Sequence, residues 1–254
     1  MILFYSSNAP EWWPYQVVSL SSNRRSLKRR NYYYIIVDNG MFTFLQQGYR
    51  PRIDTWINSM RRLVYDIERR LKPIELYIIL PDWFKDPEFT LMVAESYSNK
   101  LCKDYKCMAV SHYNYHLDMN KVIHRLLEVD YISKIAVPCK LYCSRRISTR
   151  RIIRYECQKA LVEIAHSIIG DKNKIHALGL GLKRDMIASL KEKIDSFDTT
   201  SWTRPIKSKP VRYSAKTTSE REEYFIETLK HLSDHILIPS SIPSDIFAYI
   251  LQGG

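Results

Sequence analysis

Short β-type runs alternate with amphipathic helical patterns along most of this chain, and that alternation confines it to an α/β fold built on parallel strands. Strand-like runs fall at 2–6, 32–37, 75–80, 107–110, 134–137, 175–178 and 194–197. They are rich in aromatic and β-branched residues, and several stop at Asp, Pro or Gly. Over 52–71, Ile53, Trp56, Ile57, Met60, Leu63, Val64, Ile67 and Leu71 recur at helical spacing, while Arg61, Arg62, Arg69 and Arg70 occupy the opposite, wet face. Further helices are expected over 87–103 with Pro in the first turn, 119–129, 148–169 with Gly170 as its stop, and 184–191. Two more close the chain, at 219–235, where Ser219-x-x-Glu222 reads as a capping box, and at 244–251.

Seven strands are assigned in this way and an eighth is not. The better fit is a (β/α)8-type TIM barrel, irregular in places, and the rival is an open doubly wound sheet. No G-x-G-x-x-G opens the first helix, which weakens a dinucleotide-binding version of the rival. The 254 residues fit one barrel domain over 1–254. Two segments stand outside the alternation. Residues 7–31 read as a basic insertion carrying Trp12, Trp13, Tyr15, Arg24, Arg25, Lys28, Arg29 and Arg30, and 205–254 as a C-terminal loop and helices. Trp12 and Trp13 have two readings: stacking on splayed bases, or covering the barrel bottom.

A net charge of +12 makes a polyanion the simplest partner, with a merely solvated basic surface as the bland alternative. The arginines Arg24, Arg25, Arg29, Arg30, Arg145 and Arg146 are the candidates for phosphate contact. Five cysteines at irregular spacing do not form a disulfide framework, so core thiols in a reducing compartment are expected. Cys139-x-x-x-Cys143 lacks the further ligands of a tetrahedral zinc site. The first residues lack the basic start of a signal peptide, and no apolar run is long enough to span a bilayer. The expectation is a soluble, cytoplasmic protein.

Three apolar runs stop at an aspartate: Val37-Asp38, Pro81-Asp82 and Phe197-Asp198. In a barrel the C-terminal strand ends surround one mouth, where active sites sit, so the three would converge. Each Asp taken singly is better explained by capping a turn or helix, and three at the same topological position weaken that preference. His176, inside a strand run, reads as a satisfied core histidine or as a site residue.

The local strings add a resemblance. VDNGMFTF (37–44), LPDWFKDPE (80–88), IHALGLG (175–181) and SFDTTSW (196–202) are similar, in order, to the D-S-G-x-F, L-P-D, I-H-G-L-G and S-x-D-S-T-S-W segments of the tRNA-guanine transglycosylase superfamily. The likeness covers roughly 32–204 and is closest to the compact DNA-modifying branch that inserts 7-deazaguanines. It implies a barrel that exchanges guanine in DNA or RNA for a free purine or 7-deazapurine base, without a cofactor. Asp198 matches the nucleophile that attacks C1′. Asp38 matches the group that handles the proton on the departing and arriving base. Asp82 matches the reader of the guanine edge, with Asn39 in place of the usual Ser beside Asp38. Gly179 and Gly181 would let the backbone approach the base. The family's V-Q-G-G or V-P-L-Q-G segment supplies a glutamine, and here the string is Val137-Pro138-Cys139-Lys140. The structural zinc pattern of the tRNA enzymes is missing as well. A barrel that binds nucleic acid without reacting, and a glycoside hydrolase using paired carboxylates, are the other classes left open.

Overall fold

Five-residue runs of this kind bury little by themselves, and each pairs in parallel with its sequence neighbour until the sheet closes on itself. The computed structural model describes residues 1–6, 10, 12–20, 33–143, 150–199 and 218–252. Among the described residues the strands are β1 (Ile2–Ser6), β2 (Tyr15–Ser19), β3 (Tyr34–Asp38), β4 (Glu75–Ile79), β5 (Lys106–Val110), β6 (Ile132–Val137), β7 (Ile175–Ala177) and β8 (Ser196–Thr199). They form a closed barrel in chain order, β8 returning to β1 from Ile2↔Ser196 to Tyr5↔Thr199. Helices between the strands make this a (β/α)8 TIM-type barrel and remove the open-sheet alternative.

The helices are α1 (Met41–Gln46), α2 (Ile53–Leu71), α3 (Pro87–Cys102), α4 (Met119–Leu127), α5 (Cys139–Tyr142), α6 (Arg151–Ile169), α7 (Arg184–Leu190), α8 (Thr218–Leu232) and α9 (Ser244–Leu251). In α2 the apolar stripe read from the sequence is the buried face, with Trp56, Ile57, Met60, Leu63, Val64, Ile67 and Leu71 all covered. The Asp86 side chain caps α3 through the Phe89 amide, and Gly170 ends α6 at φ 72. None of the described helices is long and apolar enough to cross a membrane.

Strand alternation sends one set of side chains outward, under the helices, and the other into the barrel. Inside, the floor is polar. Lys134 donates to the Asn173 carbonyl (2.7 Å) and to Asp195 (2.5 Å), beneath the Tyr77 ring. Tyr77 donates to Glu75 (2.7 Å), and the Tyr15 and Tyr34 rings stack at 5.5 Å. These groups lie at the N-terminal end of the strands, and the cavity lies towards the C-terminal strand ends.

Three expectations change. The segment 7–31 is not wholly an insertion, because Tyr15–Ser19 within it is the eighth strand. Only residues 7–14 separate β1 from β2, fewer than the dozen or so that a crossover helix needs. The outer layer there comes from α8 instead. Phe225 packs on Tyr5, Trp12 and Trp13 at ring distances of 4.5, 5.3 and 5.2 Å. Trp13 is fully buried and donates to the Leu3 carbonyl, and the Trp12 indole donates to Glu222, so both tryptophans are packing residues. Ser219 lies inside α8, so the capping box does not open the helix where expected. Finally, four of the five cysteines are paired. Cys102–Cys107 ties the end of α3 to β5, and Cys143–Cys157 ties the end of α5 to α6. Only Cys139 is free, and it is buried. The argument for a reducing compartment loses its premise.

Candidate active site

Inward-facing positions at the tops of the strands converge on one cavity of about 200 Å³. Its walls are apolar, from Val17, Ile36, Ile79, Val110 and Leu178, with Met41, Phe42 and Leu141 near the mouth. Its polar groups are few: Ser19, Asp38, Asp82, His112, Lys140, His176 and Asp198. The register explains how they meet. Ser19 on β2 lies opposite Asp38 on β3, and His176 on β7 opposite Ser196 on β8, two residues before Asp198. Asp82 and His112 lie just beyond β4 and β5. All three aspartates singled out in the sequence therefore face the same space, though 160 residues separate the first from the last.

Each carboxylate is held differently. Burial pushes the Asp38 carboxyl up to about 6, and the neighbouring negative charges of Asp82 and Asp198 act in the same direction. Hydrogen bonds from the Ser19 hydroxyl and the Gly40 amide oppose the rise. Asp38 is thus a group able to hold or release a proton near neutral pH.

Asp82 is buried between Asn39 and His112. Its Oδ1 accepts from Asn39 Nδ2 at 2.5 Å, and its Oδ2 contacts His112 Nε2. Asn39 is itself fixed: its Nδ2 also donates to the Leu80 carbonyl (2.6 Å), its Oδ1 accepts from the Met41 amide (2.9 Å), and its carbonyl accepts from the Trp56 indole (2.7 Å). Asn39 does not line the cavity; it braces the residue that does.

Asp198 is held through one oxygen. Oδ1 accepts from the Gly179 amide at 2.9 Å and lies 3.4 Å from His176 Nε2. His176 Nδ1 sits 2.9 Å from the Ser196 hydroxyl, so this histidine is both buried and in contact with a site carboxylate. Among the described residues no hydrogen bond falls on Oδ2, which leaves that oxygen for chemistry. Gly179 adopts φ 68, and a Cβ there would come within 2.6 Å of Lys140 Cβ, so only glycine fits.

The other sequence candidates fall elsewhere. Gly181 does not line the cavity. Its amide donates to Gln158 on α6 at 3.0 Å, and a Cβ would strike Tyr155, so its closeness serves helix packing. Arg24, Arg25, Arg29, Arg30, Arg145 and Arg146 lie outside the described residues, as do Thr200, Ser201 and Trp202. Among the described residues no cluster of three or more His, Cys, Asp and Glu could hold a metal ion. Burial drives the free Cys139 thiol well above its ordinary value, so it is inert. Sequence reading missed Ser19 and His112. The signal for His112 was its place two residues past the end of a strand run, the same kind of position that marked Asp82.

Together these features define an α/β barrel whose C-terminal mouth holds a small apolar cavity edged by three carboxylates, each held by different partners. No protein-family model matches the chain, and no curated protein sequence is significantly similar to it.

Proposed function

We propose that this barrel exchanges a purine base in DNA or RNA, replacing guanine with a free guanine-type or 7-deazaguanine base. The observation that carries the proposal is that Asp38, Asp82 and Asp198, remote in sequence, line one cavity. Three further features support it. The cavity, at about 200 Å³, is smaller than the roughly 300–1,000 Å³ that drug-sized ligands occupy, which suits a single base with its sugar at the mouth. The strings 37–44, 80–88, 175–181 and 196–202 resemble those of the tRNA-guanine transglycosylase superfamily in the same order. The net charge of +12 suits a polynucleotide.

In this reading Asp198 Oδ2 attacks C1′ of the nucleotide while the C1′–N9 bond breaks, forming an ester between the sugar and the carboxylate. Asp38, protonated below its raised value, gives its proton to the departing base anion. The incoming base then loses a proton to the Asp38 carboxylate. Its nitrogen attacks C1′ and expels Asp198. Asp82, an acceptor with both oxygens anchored, offers its remaining lone pairs to the N–H donors of a guanine-type edge. No metal or cofactor enters any of these steps.

A second reading, a barrel that binds nucleic acid without reacting, draws on Lys140, which lines the cavity where the resemblance calls for a glutamine. Incubation with duplex DNA and with tRNA plus radiolabelled guanine separates the two. Base exchange incorporates label, and Asp198→Asn abolishes it. Salt-sensitive binding with no incorporation into either polynucleotide refutes the exchange reading and favours the second.

A further inference from the structure

We infer that His112 is a positioning residue that holds Asp82 in place as a hydrogen-bond acceptor for the bound base. The inference rests on the proposed base exchange for its functional meaning, but its physical content stands on the geometry of the pair alone.

His112 is 1% exposed and lines the cavity beside Asp82. One ring nitrogen, Nε2, meets Asp82 Oδ2. The other, Nδ1, is buried and has no hydrogen-bond partner among the described residues. With Asp82 as a carboxylate, which accepts and does not donate, Nε2 carries the hydrogen of this contact. A second proton on Nδ1 would bury a charged N–H with no acceptor, which is the costlier arrangement. The arrangement inferred is the Nε2–H tautomer of His112 donating to the Asp82 carboxylate.

The consequence is directional. Asn39 holds Oδ1 and His112 holds Oδ2, so the plane of the Asp82 carboxylate is fixed from both sides by the residue after β3 and by the segment after β5. Each oxygen keeps a second lone pair for the ligand. A pre-oriented acceptor of this kind selects a base edge carrying N–H donors, as guanine-type bases do, and disfavours an edge that presents an acceptor there.

The test has two arms. Nitrogen-15 NMR of histidine-labelled protein at neutral pH, with His112→Gln to assign the signal, should show His112 as the neutral Nε2–H tautomer. A doubly protonated ring or an Nδ1–H tautomer overturns the inference, whether or not the protein exchanges bases. In the labelled-guanine assay, His112→Phe should raise the KM for guanine about tenfold, the scale of one lost charge-assisted hydrogen bond, with a smaller change in kcat. His112→Gln keeps an N–H donor and should recover most of that loss. An unchanged KM in His112→Phe, or a loss confined to kcat, overturns the positioning role. If wild-type protein exchanges no guanine, the proposed function fails, while the tautomer measurement still decides the His112–Asp82 pair.

Discussion

Replacing Asp38 by Asn should make the protein more stable at pH 7.5 and change it little at pH 4. Folding raises this carboxyl from an ordinary 3.8 to about 6, chiefly by burial. An acid whose folded value is raised binds more protons folded than unfolded between those two values, so its ionisation opposes folding as pH rises through that window. Integrating over the shift gives a cost of about 3 kcal/mol at pH 7.5 and less than about 1 kcal/mol at pH 4. Asn is nearly isosteric, keeps one accepting oxygen for the Ser19 and Gly40 donors, and carries no charge. The asparagine variant should therefore gain roughly 2–3 kcal/mol at pH 7.5, a melting shift on the order of 5–10 °C for a domain of this size. Urea unfolding of both proteins at the two pH values measures the difference directly. An equal effect at both pH values, or destabilisation confined to pH 7.5, would refute the argument that this cavity strains an ionised Asp38.

Other outcomes follow from the same geometry. Gly179→Ala must place a Cβ at φ 68 and against Lys140, so unfolding assays should show a loss of about 1–3 kcal/mol, and base exchange should drop with it because the Gly179 amide holds Asp198. Replacing Cys143 and Cys157 together by Ser opens a link across 14 residues. The loop-closure estimate is about 3 kcal/mol, read by urea midpoint under non-reducing conditions, and reductant should bring wild type to the same value. Binding to duplex DNA, followed by fluorescence anisotropy, should weaken steeply as salt rises from about 50 to 200 mM; affinity that ignores salt removes the polyanion reading of the +12 charge.

The barrel was legible because its long helices and most of its strands carry strong periods. The stripe from Ile53 to Leu71 could be nothing but a buried helix face. β2 was not legible, since Tyr15-Gln16-Val17-Val18-Ser19 is short, is buried on both faces and carries a buried Gln16, so neither alternation nor an apolar run marks it. α1 and α5, of six and four residues, are too short to show a period. The disulfides depend on distances between elements, 5.6 and 5.7 Å between Cα atoms, which spacing along the chain does not reveal. At the site, the aspartates stood out because each ended an apolar run. Ser19 was hidden with its unassigned strand. His112 lay two residues past its strand run, as Asp82 did, but in none of the four resembled strings, and Gly181 looked like part of the site because a glycine fitted to helix packing reads the same as one fitted to a ligand.

The central claim is that one carboxylate oxygen, Asp198 Oδ2, forms a bond to the sugar once a base departs. Denaturing gel electrophoresis followed by peptide mass spectrometry, after mixing the protein with a guanine-containing oligonucleotide and withholding any incoming base, tests that bond directly. The predicted result is a covalent protein–oligonucleotide band mapping to the peptide that contains Asp198, cleared by added guanine. No adduct with a substrate that does exchange label, or an adduct that persists in Asp198→Asn, would contradict it.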